Sequence, residues 1–150
     1  MRTDPNHLDT HLQMPLFAGC TRAEVELATR STARVAFSAG KVLATQRRSC
    51  RQFGLIVEGT VTVRRDGEDI DVLEPGDHFG EFTMLRGVPN PVTLVARTPV
   101  TVDVVTPGEF RLDFGADPTL RGRIDRECDR RIRDWIRSPI PAPTLAVPTA

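Results

Sequence analysis

The feature that most limits the possible folds is a series of short β-type runs between residues 34 and 106. Each run holds four to six residues rich in Val, Thr, Ile and Leu, and glycine, proline or aspartate punctuates the series. The runs are RVAF, KVLA, FGLIV, TVTVRR, DIDVL, VTLVA and VTVDVV. Seven or eight short strands at this spacing predict a sandwich or barrel of antiparallel strands, jelly rolls included.

One connection in this series is predicted in detail. The dipeptide Asp66-Gly67 lies between TVTVRR and EDIDVL. Asp-Gly tolerates the positive φ angles of a two-residue turn, so the pattern predicts a tight β-hairpin. No period of 20 to 50 residues repeats along the chain, which argues against a solenoid.

Helical patterns flank the strands on both sides. Asp4-Pro5 starts a short helix, and the capping box Thr21–Glu24 starts a second that ends near Ser31. After the strands, Pro107 opens a short helix and Asp117 caps a longer one. We expect that longer helix to reach about Arg137, with one narrow apolar stripe formed by Leu120, Ile124, Cys128, Ile132 and Trp135 or Ile136.

Composition excludes several classes of protein. With 150 residues and a formal net charge of zero, the chain is one domain with no overall field for nucleic acid or an anionic membrane. Its three cysteines lack C-x-x-C spacing and predict free thiols. No segment has the roughly 20 apolar residues of a membrane span, and no signal peptide is evident, so we expect a cytoplasmic protein.

The segment PGDHFGEFTML, residues 75–85, carries the chemistry. A glycine just before a helical turn lets the backbone approach a ligand, and the exposed N–H groups of the turn can hold an anion. The carboxylate of Glu81 beside such a site would accept hydrogen bonds from a hydroxyl. An anion site next to a hydroxyl acceptor is what a cyclic ribose phosphate requires.

This segment resembles the phosphate-binding cassette of the cyclic-nucleotide-binding domain family, F-G-E-(L/I)-A-L-L followed by P-R-(S/T/A)-A-(T/S)-V. Residues 79–85, Pro89, Thr93 and Leu94 fall in register with it. FSAGKVLATQ, FGLIVEGTVTVRRDG and PLFAGCTRAEVELA resemble other parts of the family, so that about residues 15 to 136 are covered. The resemblance implies a mainly β fold, a double-stranded β-helix or jelly roll with N-terminal helices and a long C-terminal helix.

By the same resemblance the ligand-binding residues are Gly80, Glu81, Phe82, Asn90, Pro91 and Thr93. The family's cassette arginine, which pairs with the cyclic phosphate, is replaced here by Asn90, and Pro91 follows it without an N–H or a side-chain donor. The phosphate-binding cassette is therefore degenerate at its cation. Four arginines near it in sequence are candidates to replace the charge: Arg48, Arg51, Arg86 and Arg97.

Other classes of function are disfavoured by the residues present. No nucleophile elbow, H-E-x-x-H or P-loop occurs, so we expect no enzyme activity. His78 lacks the H-x-H partner of a cupin metal site, so we expect a pocket-rim or surface histidine and no bound metal or other cofactor. The arginines of the last helix alternate with acids, including the i,i+4 pair Glu127–Arg131, which favours a solvated face over a nucleic-acid patch.

We therefore predict an N-terminal helical lead (residues 1–14), a cyclic-nucleotide-binding-like domain (15–137) and a proline-rich disordered tail (138–150) without a DNA-binding domain. The predicted function is regulatory: the domain senses cyclic AMP, cyclic GMP or a related ligand and signals through its C-terminal helix to an effector or a second copy. The alternative is a degenerate member that binds no nucleotide and serves as an interaction or dimerisation module.

Overall fold

The computed structural model describes residues 5–137, and eight strands lie within that range. They are β1 (Ala33–Phe37), β2 (Val42–Ala44), β3 (Phe53–Glu58), β4 (Val61–Arg65), β5 (Glu68–Leu73), β6 (His78–Phe79), β7 (Thr93–Ala96) and β8 (Val100–Val105). The seven runs named from the sequence correspond to β1–β5, β7 and β8. The remaining strand, β6, has only two residues and leads directly into the cassette helix.

The strands form two four-stranded antiparallel sheets that face each other as a jelly roll. Sheet 1 has the order β1-β8-β3-β6 and sheet 2 the order β2-β7-β4-β5. The hairpin between β4 and β5 turns at Asp66 and Gly67, whose φ angles of 52° and 84° are both positive. Positive φ at both central residues is the geometry that the Asp-Gly dipeptide predicts, so the hairpin prediction is confirmed.

Five α-helices and three short helical segments surround the roll in the described part of the chain. The α-helices are α1 (Pro5–Leu12), α2 (Arg22–Thr29), α3 (Glu81–Arg86), α4 (Pro107–Phe110) and α5 (Pro118–Arg131). A 3-10 turn spans Pro15–Phe17, and π-helical segments Arg111–Gly115 and Ile132–Arg137 extend α4 and α5. The predicted capping box of α2 is present, with Thr21 and Glu24 each binding the other's backbone N–H.

The two central strands of sheet 1, β3 and β8, are buried on both faces, which produces two apolar clusters. The roll interior lies between the sheets and contains Ile56 and Val102 from sheet 1 together with Val61 and Val63 from sheet 2. The second cluster lies between the outer face of sheet 1 and the helices, around Phe53. Burial on both faces explains why FGLIV and VTVDVV are nearly continuous apolar runs.

The C-terminal helix packs along both clusters. Leu120 and Ile124 belong to the outer cluster, whereas Cys128 and Trp135 belong to the roll interior. The predicted apolar stripe therefore packs against the chain's own roll, so in this conformation it does not provide a seam for a second copy. The predicted tail, residues 138–150, lies outside the described residues, as do residues 1–4 of the lead.

Candidate functional site

The cassette begins at a left-handed glycine. Gly80 has a φ of 92° and precedes α3 directly after the two-residue strand β6. A Cβ at this position would overlap the carbonyl oxygen of Gln52 and the Cα of Phe53. The missing side chain thus lets the cassette pack closely against the start of β3, a structural reason for glycine besides the ligand approach predicted from the sequence.

Glu81 is the first residue of α3, and its carboxylate is buried with only 1% of the residue exposed. Its Oε2 accepts a hydrogen bond from Nη1 of Arg131 at 2.6 Å, and its Oε1 lies 3.3 Å from Nδ1 of His78. Burial acts to raise the pKa of Glu81, but the charge of Arg131 and the contact with His78 outweigh it and lower the pKa to about 2. The carboxylate is therefore ionised and already has two partners.

Arg131 links the cassette to the end of α5. Its guanidinium, on a residue only 1% exposed, also donates to Glu127 at 3.0 Å and lies 4.9 Å from the centre of the Trp135 ring. The indole N–H of Trp135 donates to Asp71 of β5 at 2.9 Å. These contacts fix the C-terminal helix to the cassette on one side and to sheet 2 on the other.

Asn90 serves a different purpose from the family's cassette arginine. Its side-chain amide donates to the carbonyl oxygens of Arg48, at 2.7 Å, and Thr45, at 3.3 Å. Thr93 accepts a hydrogen bond from the N–H of Gln46 at 2.9 Å. Both predicted ligand-binding residues therefore hold the β2–β3 connection, which the sequence analysis did not predict.

Phe82 and Pro91 are the two predicted site residues whose side chains make no hydrogen bond. Phe82 is buried in the roll interior, and Pro91 is partly buried beside Asn90. The structure thus brings Gly80, Glu81 and Phe82 together at the start of α3. Asn90 and Pro91 lie in the segment that leads into β7, and Thr93 is the first residue of that strand.

The four arginines considered as replacement cations have different surroundings. Arg86 binds Asp125 at 2.7 Å and Asp129 at 3.0 Å on α5, so it ties α3 to the helix. Arg97 is exposed. Arg48 and Arg51 line a cleft together with Asn90. Among the ion pairs of residues 5–137, the arginine bound to Glu81 is Arg131, which was not among those four.

Two further sequence expectations can be compared with the structure. Of the two positions expected for His78, the surface is wrong because the residue is 6% exposed, whereas a pocket rim agrees with its place in the lining of a cleft beside Arg126 and Arg130. Its ring packs against Phe53 with ring centres 5.4 Å apart. The pair Glu127–Arg131 forms as predicted, at 3.0 Å, yet Arg131 is buried and does not belong to a solvated face. The sequence signal for this was its position beside the apolar stripe, three residues after Cys128 and four before Trp135.

Comparison with known proteins identifies the fold. Residues 34–112 match the family model described as the cyclic nucleotide-binding domain. The chain belongs to the cyclic nucleotide-binding domain family. A curated relative, the cAMP-dependent protein kinase regulatory subunit of Mycosarcoma maydis, is 32% identical over an 89-residue alignment that covers 57% of this chain and 17% of that protein.

Solved structures share the fold of this chain. The regulatory subunit of a cAMP-independent protein kinase A from Trypanosoma brucei superimposes with a TM-score of 0.77 at 19% identity, over 88% of this chain and 48% of that one. The Thermus thermophilus catabolite activator protein gives 0.70 at 24% identity, over 79% and 58%. The chain thus spans less than a fifth of the curated relative and about half of these solved chains.

Two kinds of feature are absent from the described residues. No helix between residues 5 and 137 is long and apolar enough to cross a membrane. Within the same range, no group of three or more His, Cys, Asp or Glu side chains is arranged to hold a metal ion.

Proposed function

We propose that this chain is the sensor domain of a regulatory system, in which a cyclic nucleotide or related ligand acts at Gly80 and Glu81 and the C-terminal helix carries the response to a partner. The observation that supports it most strongly is the contact between Glu81 and Arg131. The carboxylate that would receive a ribose hydroxyl is the same one that holds the helix.

Competition at this carboxylate supplies a mechanism. A hydroxyl that donates to the Glu81 carboxylate competes with Arg131 for it, and a bulky ligand beside Phe82 would displace Trp135 from the roll interior. Either event favours conformations in which the π-helical end of α5 is released. A ligand shifts this equilibrium only by the difference between its affinities for the two states, so the ligand must bind the released state more tightly.

The second candidate is the non-binding interaction module, which the position of Asn90 favours. Its amide is already bound to Arg48 and Thr45 carbonyls, and it carries no charge for a phosphate. Loss of a charge-assisted hydrogen bond weakens binding by roughly ten- to a hundredfold or more. Among the fold neighbours, a mutant of the Trypanosoma brucei subunit with three substitutions, one of them threonine to arginine, is described as bound to cAMP.

Calorimetric titration with cyclic AMP and cyclic GMP separates the two candidates. We would compare the wild type with Asn90→Arg/Pro91→Ala, which adds the cation and restores the N–H. Asn90→Leu is the matched control, because it removes the same amide without adding charge. The chain has one tryptophan and no tyrosine, so indole fluorescence reports the environment of Trp135 at the end of α5.

The outcomes differ clearly. Binding by the wild type with a change in indole fluorescence supports the sensor. Binding only by Asn90→Arg/Pro91→Ala means an intact pocket that lacks its cation, and then the natural ligand is not a cyclic nucleotide. No binding by either protein, with both folded, overturns the sensor and favours the interaction module.

A further inference from the structure

A cleft of about 390 Å³ opens at one edge of the roll, and neither Glu81 nor Arg131 is among the residues that line it. It lies between β1, the edge strand of sheet 1, and β2, the edge strand of sheet 2, and residues 45–52 border it. Its apolar lining includes Phe37, Leu43, Ala44, Phe79 and Val104. The volume falls within the range of small-molecule sites, about 300–1,000 Å³.

Three cations line this cleft. They are Lys41 at the start of β2 and Arg48 and Arg51 in the β2–β3 connection. Of the described residues that line the cleft, none is acidic. Lys41 also lies 5.8 Å from the centre of the Phe37 ring, which places its ammonium group close to the apolar lining.

The neighbouring Arg47 differs from these three cations because it has an acidic partner. Arg47 is paired with Asp66 at 3.0 Å, and its charge is therefore balanced by the β4–β5 hairpin. Lys41, Arg48 and Arg51 are instead exposed side chains that line one cleft, and no carboxylate among its lining residues balances their charge, so an anion is favoured there. Polar groups of Thr45, Ser49 and Gln52 line the same cleft and add hydrogen-bonding capacity.

We propose that this edge cleft is a binding site for a small organic anion, with a carboxylate or phosphate group at Lys41, Arg48 and Arg51 and an apolar body against Phe37 and Phe79. An apolar wall with a few convergent charged groups is the usual composition of a small-molecule site. Gly80, Glu81 and Phe82 do not line this cleft, but Phe79 and Asn90 of the cassette segment do, so the two sites are adjacent but not the same.

The cleft is nevertheless connected to the cassette. The backbone N–H of Cys50 donates to Oγ1 of Thr83 in α3 at 2.9 Å, and the Asn90 amide holds the carbonyl of Arg48. A ligand that orders the β2–β3 connection therefore acts directly on two contacts with the cassette segment.

Octanoate is a suitable probe because it combines one carboxylate with a short apolar chain. We expect saturable binding by calorimetry, with changes in backbone amide NMR signals concentrated in residues 37–52 and around Phe79. Octylamine and 1-octanol have the same chain with opposite or no charge, and both should bind at least about tenfold more weakly. Octyl phosphate and inorganic phosphate then distinguish a preference for phosphate from one for carboxylate.

Two charge-reversal variants provide the decisive comparison. Arg48→Glu/Arg51→Glu should lose octanoate binding by at least about tenfold and bind octylamine better than the wild type does. Arg111→Glu/Arg121→Glu changes the net charge equally at two exposed residues that do not line the cleft, and it should bind octanoate as the wild type does.

Several results would overturn the proposal. It is refuted if 1-octanol binds as tightly as octanoate, or if octanoate does not bind at all. It is also refuted if the NMR changes lie elsewhere on the surface, or if both double variants lose octanoate binding equally. Indole fluorescence and thermal unfolding of each variant verify that the fold is retained. Failure of octanoate leaves the cyclic-nucleotide titration unaffected, so the two proposals are tested separately.

Discussion

The contact between Glu81 and Arg131 makes a quantitative prediction through Arg131→Met. Both residues are 1% exposed, so removing the guanidinium leaves an ionised carboxylate buried with only His78 nearby. Breaking a buried ion pair from one side costs about 3–5 kcal/mol of the free energy of unfolding. For a domain of this size that is a fall in Tm of roughly 10–20 °C.

Substituting the other partner, Glu81, should reduce the free energy of unfolding by less. In Glu81→Gln, Arg131 keeps Glu127 at 3.0 Å, and the new amide oxygen still accepts a hydrogen bond. We expect a loss of about 1–2 kcal/mol. The double variant Glu81→Gln/Arg131→Met should be more stable than Arg131→Met alone, because it no longer buries an unpaired charge.

The pH dependence supplies an independent check. In the wild type the pKa of Glu81 is lowered from 4.5 to about 2, so its contribution is present above pH 4.5 and is lost as the pH falls towards 2. In Arg131→Met the burial that remains should raise the pKa of Glu81 above its ordinary value. The variant should then gain stability relative to the wild type as the pH falls from neutral towards 4.5.

Chemical denaturation followed by circular dichroism at several pH values measures both effects. Asp103, whose pKa is also lowered to about 2 by Arg34 and His11 despite its burial, contributes equally to every variant and cancels in the comparison. A loss below about 1 kcal/mol for Arg131→Met, the range of an exposed pair, or a larger loss for Glu81→Gln, would refute the reasoning.

Three further predictions rest on single contacts. Gly80→Ala should prevent stable folding, because its φ is 92° and the new Cβ would overlap the Gln52 carbonyl. Gly19→Ala, at a φ of 78° but in open space, should cost only roughly 1–2 kcal/mol of the free energy of unfolding. Equal shifts in Tm for the two variants would contradict this. Trp135→Phe loses the bond to Asp71 and should cost about 1 kcal/mol, against about 3–5 kcal/mol for Trp135→Ala, as urea denaturation would show. In the native state a thiol reagent should label Cys20 first, Cys50 of the edge cleft more slowly, and Cys128 only on unfolding. Burial raises the pKa of Cys50 and brings that of Cys128 to about 12; rapid labelling of Cys128 would exclude this order.

The strands and the hairpin could be predicted because their signals are local. The Asp66-Gly67 turn depends on the φ preferences of two residues, and the capping box of α2 on a spacing of three. The two-residue strand β6 is too short to produce a period of its own. It exists because Gly54 leaves room for the ring of Phe79 beside β3.

The chemistry of the site was less predictable because its decisive contacts are long-range. Arg131 and Glu81 are separated by 50 positions, and the nearer Glu127 offered a sufficient partner for Arg131. The role of Asn90 also depends on backbone carbonyls more than forty positions away. Every residue has a backbone carbonyl, so the residue types at those positions do not reveal the contact. The resemblance named candidate residues but not the partners that they have in this chain.

The way α5 is attached has a consequence for the order in which the domain can be built. Arg123 donates to the carbonyl of Leu16, Arg86 binds Asp125, and Trp135 reaches Asp71, so the helix joins parts made early and midway through synthesis. All eight strands leave the ribosome before it. We expect the nascent roll to expose apolar interior until this helix arrives, and a chaperone that recognises such surface would bind during that interval.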